Sequence, residues 1–543
     1  MNAHRSVRAP ARAVAAAAVA VVAAGILAPA AAQDGGSKAA RLLPAPVVPV
    51  PPLLDRAKVD HALAGLDGIV ERAMAETGVP GVAVAVVHDD EVLYQKGFGV
   101  REVGRPEPVD TDTVFLLASV SKPLASTIVA RLVGEGRFAW DDPVRDYNSD
   151  FRLSDPYVTA NATFADLMSH RSGLATGAGD LLEDLGFDRA TILSKFDQQP
   201  LDAFRSSYHY SNFGYTAGGE AAAVAAGMPW EDLADALLFE PLGMASASYR
   251  HADYLARDNK ALIHVRVGDP AGKVWEAKYD RDPDAEAPAG GASASIADLA
   301  KFVRLQLANG VFDGGRIVDE AALAATHVPQ VISGAPSSPA ARGQFYGLGW
   351  NVGYDDEGRA RVGHSGAFNL GTSTNVTMLP GERLGIAVIT NGEPIGVAEA
   401  IAAAFLDAAQ HGEETVDWLP FLGAIFEAMV AAEQAGAASD TEVADPAPAR
   451  AADAYAGVYD NGYYGPLTVT ADDGGLSMTM GPEAAPTTLA LTHVDGDRFV
   501  FETIGENAYG LSNARFEAGR DGTAARLTLD FYDTSGLGTF TRR

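Results

Sequence analysis

Ser119 and Lys122 stand three residues apart in Ala118-Ser119-Val120-Ser121-Lys122, where an extended segment meets a stretch with helical spacing. Positions i and i+3 of a helix share a face, so the lysine lies beside the serine. A serine hydroxyl is a weak nucleophile until a neighbour takes its proton, and a desolvated lysine can do so. A helix N-terminus adds partial positive charge and free N–H groups near a developing oxyanion. Ser-x-x-Lys arises by chance about once or twice in a chain of this length, so its company matters. The run from Tyr208 to Tyr215 (YHYSNFGY) is a dense aromatic and polar loop ahead of an Ala-rich helix. Tyr210 and Asn212, two residues apart, can both point into one cleft from an extended loop. Later, Gly363-His364-Ser365-Gly366-Ala367 is expected between two strands. Glycine there allows close backbone approach to a ligand, and histidine can donate or relay a proton. The same run nearly matches the Gly-x-Ser-x-Gly elbow, which would make Ser365 a nucleophile. An elbow is followed by a helix, whereas Phe368 to Leu379 is β-branched and ends at Pro380-Gly381, so that reading is rejected.

Segments so far apart need a frame. Leu63, Leu66, Ile69, Val70 and Met74 predict a helix over 59–77. A break at Val79-Pro80-Gly81 leads to a hairpin, with strands over 82–88 and 91–100. Helices are expected at about 120–134, 163–168, 230–238 and 296–309. Strands return at 348–352, 371–379 and 384–390, followed by a helix over 396–409. Strands at both ends of a domain with helices between them indicate an α+β architecture, a sheet with helices packed on it. After a helix over 416–435 and a small, acidic linker over 436–450, short strand-like runs at 467–470, 476–480, 498–503 and 525–532 predict a small all-β domain, a barrel or sandwich.

The chain of 543 residues carries 71 acidic and 41 basic side chains, a net charge of −30. Such a surface repels phosphate backbones and excludes nucleic acid as a partner. With no cysteine, disulfides, thiolate metal sites and cysteine nucleophiles are excluded. Arg5, Arg8 and Arg12, then an Ala/Val-rich run over 13–27, then Ala30-Ala31-Ala32 have the three-part layout of a secretory signal peptide. Cleavage after Ala32 is expected, giving an exported, periplasmic or secreted chain. No later segment reads as an integral membrane span.

Taken in order, Ser119-Val120-Ser121-Lys122, Tyr210-Ser211-Asn212 and His364-Ser365-Gly366 resemble the three motifs of the serine β-lactamase and penicillin-binding-protein superfamily, most of all its class C β-lactamase-like esterases and D-amino-acid peptidases. Leu167–Leu174 (LMSHRSGL), Glu240–Met244 (EPLGM) and Tyr346–Trp350 (YGLGW) fit as well, so the resemblance covers about 59–409. The part from Ala451, with Tyr455–Tyr459 and Tyr463–Leu467, is similar to a lipocalin-like domain. The resemblance implies a β-lactamase/transpeptidase-like domain followed by a barrel-like one. The implied layout is a signal peptide (1–32), a Pro/Ala-rich linker (33–57), a hydrolase domain (58–410), a helix and linker (411–450) and a β domain (451–543). It implies that Ser119 is acylated, with Lys122 and Tyr210 sharing general-base and general-acid duty. Asn212, His364, Ser365, Gly366 and Ala367 would bind substrate, with the N–H groups of Ser119 and Ala367 forming the oxyanion hole. No cofactor or metal is implied. The expected activity is hydrolysis of small esters, amides or peptides. A β-lactamase or D-Ala-D-Ala carboxypeptidase and a non-catalytic cell-wall-binding sensor are the alternatives. Relatives of lactamase type usually carry lysine where His364 stands. A neutral imidazole there offers one hydrogen bond and no full charge to a substrate carboxylate.

Overall fold

A computed structural model describes residues 54–268, 274–355, 357–435, 441, 443–472 and 475–543 of the protein. The expected leader at 1–32 and the linker positions 33–53 and 436–440 lie outside the described residues. The described residues form two compact units. One holds 54–174 and Leu201–Glu427, the other Ala175–Pro200 and Ala428–Arg543.

The long elements of the first unit are, in chain order, helix α1 (Arg56–Thr77), strands β1 (Gly81–His88) and β2 (Glu91–Gly99), and helices α2 (Ser121–Gly134), α3 (Asn212–Ala226) and α4 (Ile296–Leu307). Strands β3 (Val331–Gly334), β4 (Gln344–Tyr346), β5 (Asn351–Tyr354), β6 (Ala360–Phe368), β7 (Thr372–Leu379) and β8 (Leu384–Thr390) follow, and then helix α5 (Val397–His411). The strands form one antiparallel sheet in the order β2-β1-β8-β7-β6-β5-β4-β3, so the N-terminal hairpin is stitched to the last strand of the domain. Strand β1, GVAVAVVH, is buried along its whole length. Alternate side chains of a strand face opposite sides, so such a run needs cover on both. Val82, Val84, Val86, Ile386 and Val388 pack with Val59, Leu66 and Val70 of α1 and Ile401 and Phe405 of α5. Helix α4 covers the other face, and a Cβ on Gly385 would sit 2.6 Å from a Val303 methyl. Each fully buried aliphatic side chain contributes about 1.5–3 kcal/mol, so this sandwich is the stable floor of the unit. The run His364–Ala367, expected between two strands, lies inside one. Gly363 and Gly366 pair there with Thr377 and Thr374 of β7.

Helix α6 (Trp418–Gln434) carries the chain into the second unit. There β9 (Gly457–Asp460), β10 (Leu467–Asp472), β11 (Gly475–Met480), β12 (Thr487–Asp495), β13 (Arg498–Glu502), β14 (Leu511–Ala518), β15 (Ala524–Leu529) and β16 (Thr539–Arg542) close into an antiparallel barrel. Each strand pairs with its chain neighbour, and β9 meets β16 to remove the edges. Tyr459, Leu467, Met478, Leu527 and Phe540 are buried in it. Residues 175–200 leave the first unit between Leu174 and Leu201, which are bridged to each other, and pack with the barrel. The Asp184 carboxylate accepts hydrogen bonds from Glu506 N (2.8 Å) and Asn507 Nδ2 (2.9 Å). Gly505 is required beside it, because any Cβ there would collide with Asp184.

Candidate active site

The short strand Val114–Leu116 pairs with Ser293–Ser295 and delivers the chain into a tight turn over Ala118–Val120. Ala118 sits at φ 46°, in the left-handed region, at a cost of about 1–2 kcal/mol for a residue with a Cβ. That turn places Ser119 just ahead of α2, half-exposed, with Lys122 fully buried on the first helical turn. Lys122 Nζ donates to Ser119 Oγ (3.0 Å), Asn212 Oδ1 (2.8 Å) and the Ala289 carbonyl (3.0 Å). Tyr210 Oη donates to the same Ser119 Oγ at 2.8 Å. The ammonium also lies 4.6 Å from the centre of the Tyr210 ring. A charged amine has three N–H bonds, so these acceptors satisfy Lys122 while its charge is kept out of water. The buried Arg281–Glu286 ion pair (2.9 Å) lies within electrostatic range of it.

Tyr210 and Asn212 reach this point from different local structures. Tyr210 is in the loop, Ser211 caps α3 by accepting from Gly214 N (3.0 Å), and Asn212 is the first helical residue. Strand β6 closes the opposite side. Thr374 and Thr372 of β7 donate to the carbonyls of Leu117 (2.8 Å) and Leu116 (3.2 Å), pinning the approach to Ser119. A Cβ on Gly366 would fall 2.3 Å from Leu117 O and 2.9 Å from Ser119 N, so only glycine lets β6 pass this close to the serine. Ala367, next along, is half-exposed.

His364 and Ser365 are arranged otherwise. His364 is buried; Nδ1 faces Ser365 O at 2.6 Å and Nε2 faces Tyr346 Oη at 2.9 Å. A nitrogen against a carbonyl must carry the hydrogen, so Nε2 is bare and accepts from Tyr346. Burial, reinforced by the Lys122 charge, lowers the imidazole pKa to about 3. The expectation of a free imidazole donor toward substrate is therefore corrected, because its one hydrogen is engaged by Ser365 O. Ser365 Oγ accepts from Asn375 Nδ2 (3.0 Å) on the neighbouring strand. Beside it lies Glu399 of α5, whose carboxyl burial pushes up to about 7 against the opposing pull of the Ser365 hydroxyl.

Several contributors had no motif of their own. Ala289 offers only a backbone carbonyl, which no side-chain pattern signals. Tyr215 and Tyr249 donate to the carbonyls of Lys122 and Ser121, each at 2.7 Å, and hold the first turn of α2. Tyr346 and His170 belong to the YGLGW and LMSHRSGL runs, where only their place in the sequence hinted at a role. Among the described residues no group of three or more His, Asp or Glu could hold a metal ion, and no helix is long and apolar enough to cross a membrane.

The sequence profile of the β-lactamase family matches residues 66–410, and that of a domain of unknown function, DUF3471, matches 441–538. Penicillin-binding protein 4 of Amycolatopsis lactamdurans is 32% identical over 326 residues, covering 58% of this chain and 82% of that protein. Unguisins hydrolase ungD of Aspergillus violaceofuscus is 25% identical over 479 residues, covering 81% and 83%. Esterase EstB of Burkholderia gladioli is 34% identical over 211 residues, covering 35% of this chain and about half (52%) of the esterase. Among solved structures, the octameric penicillin-binding protein homologue from Pyrococcus abyssi shares the fold at 21% identity, with a TM-score of 0.55 over 88% of this chain and 100% of that one. SurE does so at 24% identity, with a TM-score of 0.52 over 90% and 99%. With a matching profile over most of the chain and a relative of 32% identity largely covered, the protein belongs to the β-lactamase family and is a serine hydrolase of that superfamily.

Proposed function

We propose that the protein is an exported hydrolase that cleaves small, uncharged esters, amides or peptides through an acyl-enzyme on Ser119. The observation that carries this reading is the double hydrogen bond to Ser119 Oγ from Tyr210 Oη and Lys122 Nζ. One member of the Lys122–Tyr210 pair must first be deprotonated to act as base. That member then accepts the serine hydrogen across the same short contact and takes the proton as Oγ attacks the substrate carbonyl. The same pair returns a proton to the departing alcohol or amine, and water then hydrolyses the ester on Ser119. The N–H groups of Ser119 and Ala367 receive the oxyanion, and Asn212, held by Lys122, offers its amide N–H to the substrate. Names among the relatives, an esterase and an unguisins hydrolase, support the ester and amide classes. The basic, apolar and small-residue layout of 1–32 supports export.

Substrate charge follows from His364. Held neutral with its N–H engaged, it gives a carboxylate neither charge nor hydrogen bond. Esters and amides without a carboxylate lose nothing by this. The second reading, a β-lactamase or D-Ala-D-Ala carboxypeptidase, is favoured by the 32% identity to a penicillin-binding protein. A panel of p-nitrophenyl esters, D-amino-acid amides and a chromogenic cephalosporin, run with wild type and Ser119→Ala, separates the two. Short-chain ester or amide turnover is expected to exceed cephalosporin turnover in kcat/KM. Efficient cephalosporin hydrolysis with negligible esterase and amidase activity would establish the second reading instead.

A further inference from the structure

His170 lies outside the hydrogen bonds to Ser119, yet it touches the residues before, at and after Tyr210. It follows the short helix Phe164–Met168 and sits at φ 59°, a left-handed conformation that a side chain with a Cβ enters at a cost. Its carbonyl accepts from His209 N (3.0 Å), and its Nδ1 accepts from Ser211 N (3.2 Å). Between those two anchors, its ring lies 4.4 Å from the Tyr210 ring, tilted by 34°. Burial, with the Lys122 charge adding to it, holds the imidazole well below its ordinary pKa, so the ring stays neutral and Nδ1 stays an acceptor. The other ring nitrogen then carries the hydrogen, is buried, and has no hydrogen-bond partner. Around it stand the rings of Tyr346 (4.8 Å) and Tyr215 (5.7 Å). A fully buried ring with one unsatisfied N–H, on a strained backbone, is expensive as mere packing.

The loop that carries it is fixed from below. Asp166, fully buried, accepts from Arg171 Nε (2.7 Å) and Arg205 Nη2 (2.8 Å), and Arg205 N donates to Arg171 O (2.8 Å). The 169–171 turn and the 205–211 loop are thus zipped together up to Tyr210.

We infer that His170 is a positioning residue for Tyr210, fixing the backbone on both sides of it and backing its ring so that the phenol oxygen meets Ser119 Oγ. This rests on the reading that Tyr210 takes part in proton transfer. A misplacement of about 1 Å at such a group can cost on the order of 100-fold in rate.

The test is a double-mutant cycle on p-nitrophenyl ester turnover and on the rate of Ser119 labelling by a fluorophosphonate. His170→Gly keeps the left-handed backbone but loses the acceptor and the ring. His170→Asn tolerates that backbone and restores an acceptor. His170→Gly should lower kcat about 10- to 100-fold, with KM moving less than about threefold. His170→Asn should recover a large part of the loss. In a Tyr210→Phe background, His170→Gly should cost less than about threefold, since the group it positions is already gone. An equal loss in both backgrounds, or none in wild type, would overturn the role of His170. A Tyr210→Phe enzyme with wild-type rates would instead overturn the reading of Tyr210 itself. If His170→Gly does not fold, as read by circular dichroism and thermal melting, His170→Ala, which also lacks the acceptor and the ring, takes its place in the cycle, and a loss confined to the Tyr210-containing background is required.

Discussion

Along the barrel strands and their loops, the buried polar side chains among the described residues are Thr503 and Ser512. The catalytic unit buries Lys122, Asp166, His170, Glu286, His364 and Glu399. The same contrast runs through connectivity. Every barrel strand pairs with its neighbour in the chain or closes the ring, whereas Ser119 meets Tyr210 across 91 residues and Lys122 meets Ala289 across 167. A barrel of local pairings is held mainly by apolar and aromatic burial. The catalytic unit instead spends its interior on charged and polar groups, several of which take a partner from far along the chain. Buried imidazoles with displaced pKa values mark functional clefts, and His170 and His364 both feel the Lys122 charge beside Ser119.

The largest effect that can test this contrast is at the serine. Ser119→Ala should lower turnover by at least about 10³-fold and abolish fluorophosphonate labelling, read by intact mass, while the melting temperature stays near wild type. Labelling elsewhere, above all at Ser365, would break the assignment. Next come Lys122→Ala and Tyr210→Phe, each expected to lower kcat about 10²- to 10⁴-fold. Because both hold one Ser119 Oγ, the double variant should lose far less than the product of the two. Multiplying losses would show that they act separately.

Glu399 tests the buried charge without touching the serine. Burial raises its folded carboxyl from the ordinary 4.5 to about 7, so the folded state holds the proton more tightly than the unfolded chain. Its contribution is intact below about pH 4.5 and is lost as pH rises through about 7, on the order of 3 kcal/mol in all. Glu399→Gln should therefore gain stability over wild type at pH 8 relative to pH 5 in urea unfolding. An equal difference at both pH values would contradict the burial argument. The smallest effect belongs to the barrel. The Tyr532 hydroxyl is buried without a partner, so Tyr532→Phe should be neutral or stabilising by up to about 1 kcal/mol and leave turnover unchanged. A clear loss of activity there would erase the division of labour between the units.

Legibility in the sequence tracks distance along the chain. Ser119 and Lys122 are tied by helical spacing, and the hairpin and α1 by periodicity, so their neighbourhoods could be read directly; α1 begins at Arg56, three residues before the expected start at Val59. Tyr210 and Asn212 stood out as a polar aromatic cluster, though Asn212 turned out to open a helix rather than share an extended loop. The glycines beside His364 read as places of close backbone approach, and Gly366 is one, although it lies within a strand rather than between two. The His364 ring reads as a substrate donor, but Tyr346 and Ser365 use both nitrogens, and no local pattern shows that. In the barrel, four short runs were visible among eight strands, since strands of four residues such as Gly457–Asp460 carry too few alternations to register. The departure of 175–200 toward the barrel left no sequence signal, because its partners lie hundreds of residues away.

That departure sets a timetable for synthesis. Asp184 leaves the ribosome 322 residues before Glu506, the barrel residue whose backbone it accepts. At translation speeds of about 5–20 residues per second, the wait is roughly 15–65 s. Throughout it, the Asp184 carboxylate lacks donors that it accepts from in the folded protein, Glu506 N and Asn507 Nδ2. Residues 175–200 are thus completed by chain made long after their own, and the unit they share with the barrel closes only once the barrel strands have been made.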